Sequence, residues 1–96
     1  VFLNVRRAVA LALVLTACGS GGGASVACEE FISRDREAEA TIDLATQTVE
    51  DRGKTEAGST VWRVTGEATV GDGRISFVCQ VRHDPDQWVL EQLTYD

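Results

Sequence analysis

Few side chains in this chain could do chemistry. There is one histidine, His83, and it is followed by Asp84, Pro85 and Asp86. An imidazole and two carboxylates can ligate a metal, but three donors strung along a proline turn make an exposed, incomplete cage. The segment His83-Asp84-Pro85-Asp86-Gln87 therefore reads as a turn with Pro85 in its favoured second position. Ser and Thr hydroxyls need an imidazole base to act as nucleophiles, and His83, set among acids, is a poor one. Glu29 and Glu30 are adjacent, so on a helix their carboxylates point apart; both suit the positive first turn of a helix. Trp62 and Trp88 could line a ligand pocket, although aromatic residues at strand positions usually fill a core. No catalytic residue, metal or cofactor is expected.

Composition narrows the class further. The chain has 96 residues, 15 Asp+Glu against 9 Lys+Arg, a net charge of −6 and an apolar fraction of 44%. That length holds one small domain. The acidic balance excludes a nucleic-acid binder of the usual kind, which needs clustered Lys and Arg to meet phosphate. No run reaches the roughly 20 apolar residues of a membrane-spanning helix.

The beginning of the chain reads as an address. Arg6 and Arg7 form a positive n-region, Ala8 to Leu15 an unbroken apolar run, and small residues follow. This is the pattern of a secretory signal, expected over residues 1–17. Leu15-Thr16-Ala17-Cys18 resembles the lipobox of bacterial lipoproteins. The resemblance covers the first 18 residues. It implies that the Cys18 thiol carries a diacylglyceryl group, that the signal is cut before Cys18, and that the new amino group is acylated. It also implies a protein anchored in the cell membrane on the extracytoplasmic side, with the lipid bilayer as partner. Lipid chains contribute about 0.8 kcal/mol per buried methylene, and two chains hold a protein stably. A bacterial source also fits Arg outnumbering Lys eight to one, and Val1 in the place of a starter Met, as a GTG start would leave it. Loss of Arg6 and Arg7 with the signal would take the net charge from −6 to −8.

Assigning Cys18 to lipid leaves Cys28 and Cys79 of the three cysteines. In an oxidising compartment these two are expected to pair. A loop of about 50 residues closed this way is worth roughly 4 kcal/mol in the chain-entropy model. Zinc is disfavoured, because no Cys-x-x-Cys or nearby His pair is present. Gly19-Ser20-Gly21-Gly22-Gly23-Ala24 reads as a flexible tether, so residues 18–24 are expected to link the lipid to a domain over 25–96.

The elements of that domain follow from periodicity. Cys28, Phe31 and Ile32 share one helical face, and Ser25 can cap it, which predicts a helix over 26–39. Ile42 to Val49 reads as a strand and Asp51 to Ser59 as a polar loop. Thr60 to Val70 alternates, with Trp62, Val64, Gly66, Ala68 and Val70 inward. Arg74 to Arg82 does the same with Ile75, Phe77, Cys79 and Val81 inward. Asp-Gly is a strong type I′ hairpin signal. Placing Asp72-Gly73 in the turn pairs Val70 with Ile75, Ala68 with Phe77, Gly66 with Cys79 and Val64 with Val81. Trp88 to Tyr95 is a last strand of irregular alternation. The fold class is α+β, one N-terminal helix packed on a four-stranded antiparallel meander in two layers.

The order of Cys28 in an early helix, Trp62-Arg63-Val64-Thr65-Gly66, Phe77-Val78-Cys79 and Trp88-Val89-Leu90 also looks like small lipoprotein and secreted domains of bacteria. That likeness covers most of 26–93 and implies a fold and an envelope location, with no known chemistry. Two function classes follow. One is a non-catalytic interaction module for an envelope protein partner, with Val61 and Val78 on the open sheet face as candidate contacts. The other is a small-ligand-binding lipoprotein with a pocket between helix and sheet near Trp62 and Trp88.

Overall fold

The computed structural model describes residues 21–96; the expected signal segment, Cys18, Gly19 and Ser20 lie outside the described residues. One helix, α1 (Gly21–Arg36), is followed by β1 (Ala40–Ile42), β2 (Thr48–Lys54), β3 (Thr60–Val70), β4 (Gly73–His83) and β5 (Trp88–Tyr95). The fold is α+β, with a five-stranded antiparallel sheet against one helix. Among the described residues no helix is long and apolar enough to cross a membrane.

Helix α1 exists because Ala24, Ala27, Cys28 and Ile32 recur at helical spacing and all bury against the sheet. Gly21–Ser25, ahead of the expected Val26, are already helical, so Gly21–Ala24, read as tether, belong to the helix. Glycine costs about 1 kcal/mol per helical position relative to alanine. Burial of Ala24 and the cores that follow outweighs that cost. Ser25 therefore sits inside the helix rather than capping it, and its Oγ donates to Gln47 Oε1 at 2.7 Å. Glu29 and Glu30 likewise lie beyond the first turn. The helix stops at Arg36, three residues early, because Glu37 turns left-handed (φ 54°) and the Ala38 amide donates back to the Ser33 carbonyl at 3.2 Å. That is the hydrogen bond of a Schellman ending, made here without the usual glycine.

The expected strand 42–49 is in fact two elements. Strand β1 pairs with the end of β3 (Ile42 with Ala68), and β2 pairs with its beginning (Val49 with Val64). A turn over 43–47 separates them, held by the Thr46 amide on the Asp43 carbonyl. Strand β2 runs on to Lys54, through residues expected in the polar loop. The sheet is thus β3-β4-β5 as a meander, with one long edge strand interrupted in its middle. Gly66 is the reason the interruption fits. It adopts φ +152°, and a Cβ there would lie 3.0 Å from Gln47 Cα and 3.2 Å from the Thr46 carbonyl oxygen.

The β3–β4 hairpin differs from expectation by a register step of two. Val70 pairs with Gly73, Ala68 with Ile75, Gly66 with Phe77, Val64 with Cys79 and Trp62 with Val81. Gly71 and Asp72 occupy the turn, and only Gly71 has positive φ (57°). That is the sign pattern of a type II′ turn, which takes Gly first. A slip of two leaves every side chain on its original face, so Val64, Ala68, Phe77, Cys79 and Val81 are buried as expected. In β5 the irregular alternation is a bulge: Gln92 pairs with Gln80 and Leu90 with Val81, leaving Glu91 as the extra residue.

Candidate functional site

The covered face is closed by a covalent bond. Cys28 of α1 and Cys79 of β4 form the expected disulfide, with Cα atoms 6.2 Å apart and a separation of 51 residues. Both are fully buried among Ile32, Val64 and Val81. Polar side chains pin the helix to the interrupted edge: Glu29 Oε2 accepts from the Ile42 amide at 2.8 Å, and Ser33 Oγ from the Ala40 amide at 3.0 Å. Glu29 and Glu30 have separate tasks, since Glu30 faces Arg34 one turn on. At the far end Tyr95 donates to Asp35 at 2.6 Å. Burial, aided by that carboxylate, pushes the Tyr95 phenol up to about 12.

The two tryptophans lie on this same covered face and are parted by β4. Trp88 opposes His83 across the β4–β5 pair and stacks on it, with ring centroids 4.3 Å apart at 16°. Trp88 is only 7% exposed, and Trp62 packs half-buried against the core. Trp88 Nε1 and His83 Nε2 are buried without a hydrogen-bond partner among the described residues. An open depression of about 470 Å³ lies elsewhere, lined by Thr55, Glu56, Ser59, Arg82, Asp84 and Pro85, and neither tryptophan borders it.

His83, Asp84 and Asp86 are not gathered. The His83 ring turns to Trp88 on the covered face, while the Asp84 carboxylate is occupied by Arg82 (2.8 and 3.1 Å) and Ser59 Oγ (2.9 Å). Among the described residues no group of three or more His, Cys, Asp or Glu is placed to hold a metal. The Arg82 guanidinium holds the Asp84 carboxyl below the usual carboxylate range.

The open face of the sheet carries a feature that reading the sequence missed. Arg63 Nη2 donates to Gln80 Oε1 (3.2 Å), Gln80 Nε2 to Glu91 Oε1 (3.1 Å), and Arg82 Nη1 to Glu91 Oε2 (3.3 Å). With Asp84 and Ser59 this makes one continuous chain of hydrogen bonds across β3, β4 and β5. The outward positions of the alternation hold these residues, so the signal was present, but only the true register and the bulge at Glu91 bring them together. Val61 and Val78 are half-buried on this face. Val61 opposes Arg82 and Val78 opposes Thr65, with the Arg63–Gln80 pair between them. They stand as two apolar spots flanking a polar row, not as one patch. A second clamp lies toward the hairpin, where Arg74 binds Asp43 (2.6 Å) and Glu67 (2.8 Å). It holds Asp43 below the carboxylate range.

Comparison of the chain with family models, with curated proteins and with solved structures finds no match.

Proposed function

We propose that this is a membrane-anchored lipoprotein whose folded domain is a non-catalytic interaction module, bound to the bilayer through acylated Cys18 and meeting an envelope protein on its open sheet face. The observation that carries the reading is the contrast of that face with the other. The helix, the disulfide and both tryptophans fill one side, and the second side is left uncovered with a row of polar side chains bonded to one another, Arg63 Nε alone of that row being buried without a partner among the described residues. A surface of this kind is already ordered before a partner arrives, so little side-chain entropy is lost on association. Val61 and Val78 supply apolar contact on either side of the polar row. The disulfide supports a compartment that oxidises thiols, in keeping with the lipobox.

Two experiments test the reading. Cys18→Ser should move the protein from the membrane fraction to the soluble one, and full retention in membranes would remove the lipid anchor. Crosslinking in intact cells followed by pull-down should recover a partner that Val78→Asp loses. An unchanged partner with Val78→Asp would count against the open face. A small molecule retained in native mass spectrometry, together with a change in tryptophan emission, would favour a ligand carrier instead.

A further inference from the structure

We infer that the domain is held with one particular end against the bilayer surface: the end formed by the β2–β3 loop (55–59) and the β4–β5 loop (84–87). The inference rests on the lipid attachment at Cys18 proposed above. Its own basis is the direction of α1 and the helical placement of Gly21.

The contacts of the helix fix its direction. Near its C-terminus, Asp35 and Arg36 meet Tyr95, which pairs with Phe77. Seven residues earlier, Cys28 is bonded to Cys79. On the other edge, Glu29 reaches Ile42 beside Ala68, and Ser25 reaches Gln47, which sits over Gly66. Both edges agree that going toward the N-terminus leads down β3 and up β4. Cys28 to Gly21 is seven further residues, about 10 Å of helix, while Cys79 to His83 is about 13 Å of strand. The helix therefore runs, toward its N-terminus, to the ends of the sheet that bear Thr60, His83 and Trp88, from which both loops spring, and Gly21 lies nearer those ends than the Gly71-Asp72 turn.

The placement of Gly21 sets the distance. With Gly21 already helical, three Cα steps separate it from Cys18, a span of at most about 11 Å. The other end of the sheet, the Gly71-Asp72 turn, lies ten residues along β3 from Thr60, on the order of 33 Å from the loop end. A lipid on Cys18 thus places the loop end at the headgroups and the hairpin tip well away from them, with the open face standing upright and reachable from the side. The loop end carries Asp51, Glu56, Asp84 and Asp86 against Arg52, Lys54 and Arg82. It has no cationic excess to seek anionic lipid, so the short tether alone determines the orientation.

The test uses the full lipidated chain in phosphatidylcholine–phosphatidylglycerol vesicles carrying a nitroxide headgroup lipid. Lys54 is the sole lysine, so an amine-reactive fluorophore reports from the loop end, with Lys54→Arg as the blank for any free terminal amine. Lys54→Arg combined with Asp72→Lys moves the label to the hairpin tip. Quenching should be at least twofold stronger at position 54 than at 72. A ten-residue Gly-Ser insertion between Ser20 and Gly21 should bring the two values together. Equal or reversed quenching on protein that floats with the vesicles would overturn the orientation and leave the anchor standing. Protein that does not float would remove the anchor and this inference with it. Strong quenching at 54 that survives the insertion would show that the loops bind lipid themselves, overturning the role of the tether.

Discussion

The two faces of the sheet are built on different physics. The covered face joins α1 to β3 and β4 through Ala24, Cys28, Ile32, Val64, Phe77 and Val81, all buried, and closes with a disulfide. The open face has Arg63, Gln80, Arg82 and Glu91 bonded side by side and partly exposed. Stability resides in the first, because burial of apolar area and loop closure are worth kilocalories each. Exposed ion pairs are worth a few tenths to about 1 kcal/mol. Substitutions on the open face consequently cost the fold less than those on the covered face.

The largest expected effect breaks the covered face. Cys28→Ser with Cys79→Ser should cost about 4 kcal/mol, as measured by urea unfolding, and reducing agent should reproduce the loss in the wild-type protein. In a domain this small, that is comparable with its whole stability. Next, Ile32→Ala should cost about 3 kcal/mol from transfer and cavity terms, while Thr65→Ala on the open face should stay within about 0.5 kcal/mol. Comparable losses from Ile32→Ala and Thr65→Ala would erase the distinction drawn between the faces. Gly66→Ala tests the junction of covered face and interrupted edge. A Cβ at 3.0 Å from backbone, on a residue at φ +152°, should cost about 2 kcal/mol and loosen the 43–47 turn, read as faster amide exchange there.

The open and covered faces differ also in how much of them could be read from the sequence. Alternation in 60–70 and 75–81 assigns sides correctly, since burial follows a period of two. It cannot choose between turns one residue apart, which shift the register by two: Gly71-Asp72 and Asp72-Gly73 both satisfy hairpin chemistry and both keep Val64 and Phe77 inward. The start of α1 was hidden because three glycines read as coil, and only the sheet beneath Ala24 makes them helical. The split of β1 from β2 depends on backbone passing over Gly66, a tertiary contact with no local signature. The cysteine pair was legible by elimination. The polar row across three strands was not, because it needs the hairpin register and the bulge at Glu91 together.

The smallest effects concern pH, and here the faces should part in opposite directions. On the open side Asp43 and Asp84 are held below the ordinary carboxylate range by Arg74 and Arg82. A carboxylate with a depressed native value stabilises the fold above its unfolded value near 3.8, and that contribution disappears as pH falls through the native value. Both groups are partly exposed, so the loss should be slight and should shrink further in salt. Tyr95, between helix and sheet, behaves inversely. Its native value of about 12 lies above the model-peptide value of 10.0, so the folded state keeps a proton that the unfolded chain gives up. Its contribution is complete below pH 10 and should fall away between about pH 10 and 12. Tyr95→Phe keeps the ring against the core and removes the hydroxyl, so it should abolish this alkaline slope while leaving the acid slope untouched. Arg74→Gln should lessen the acid slope by the share of Asp43, Asp84 being still held by Arg82, and leave the alkaline slope untouched. A variant that altered both slopes together would mean that the two faces are coupled through the sheet, contrary to the separation argued above.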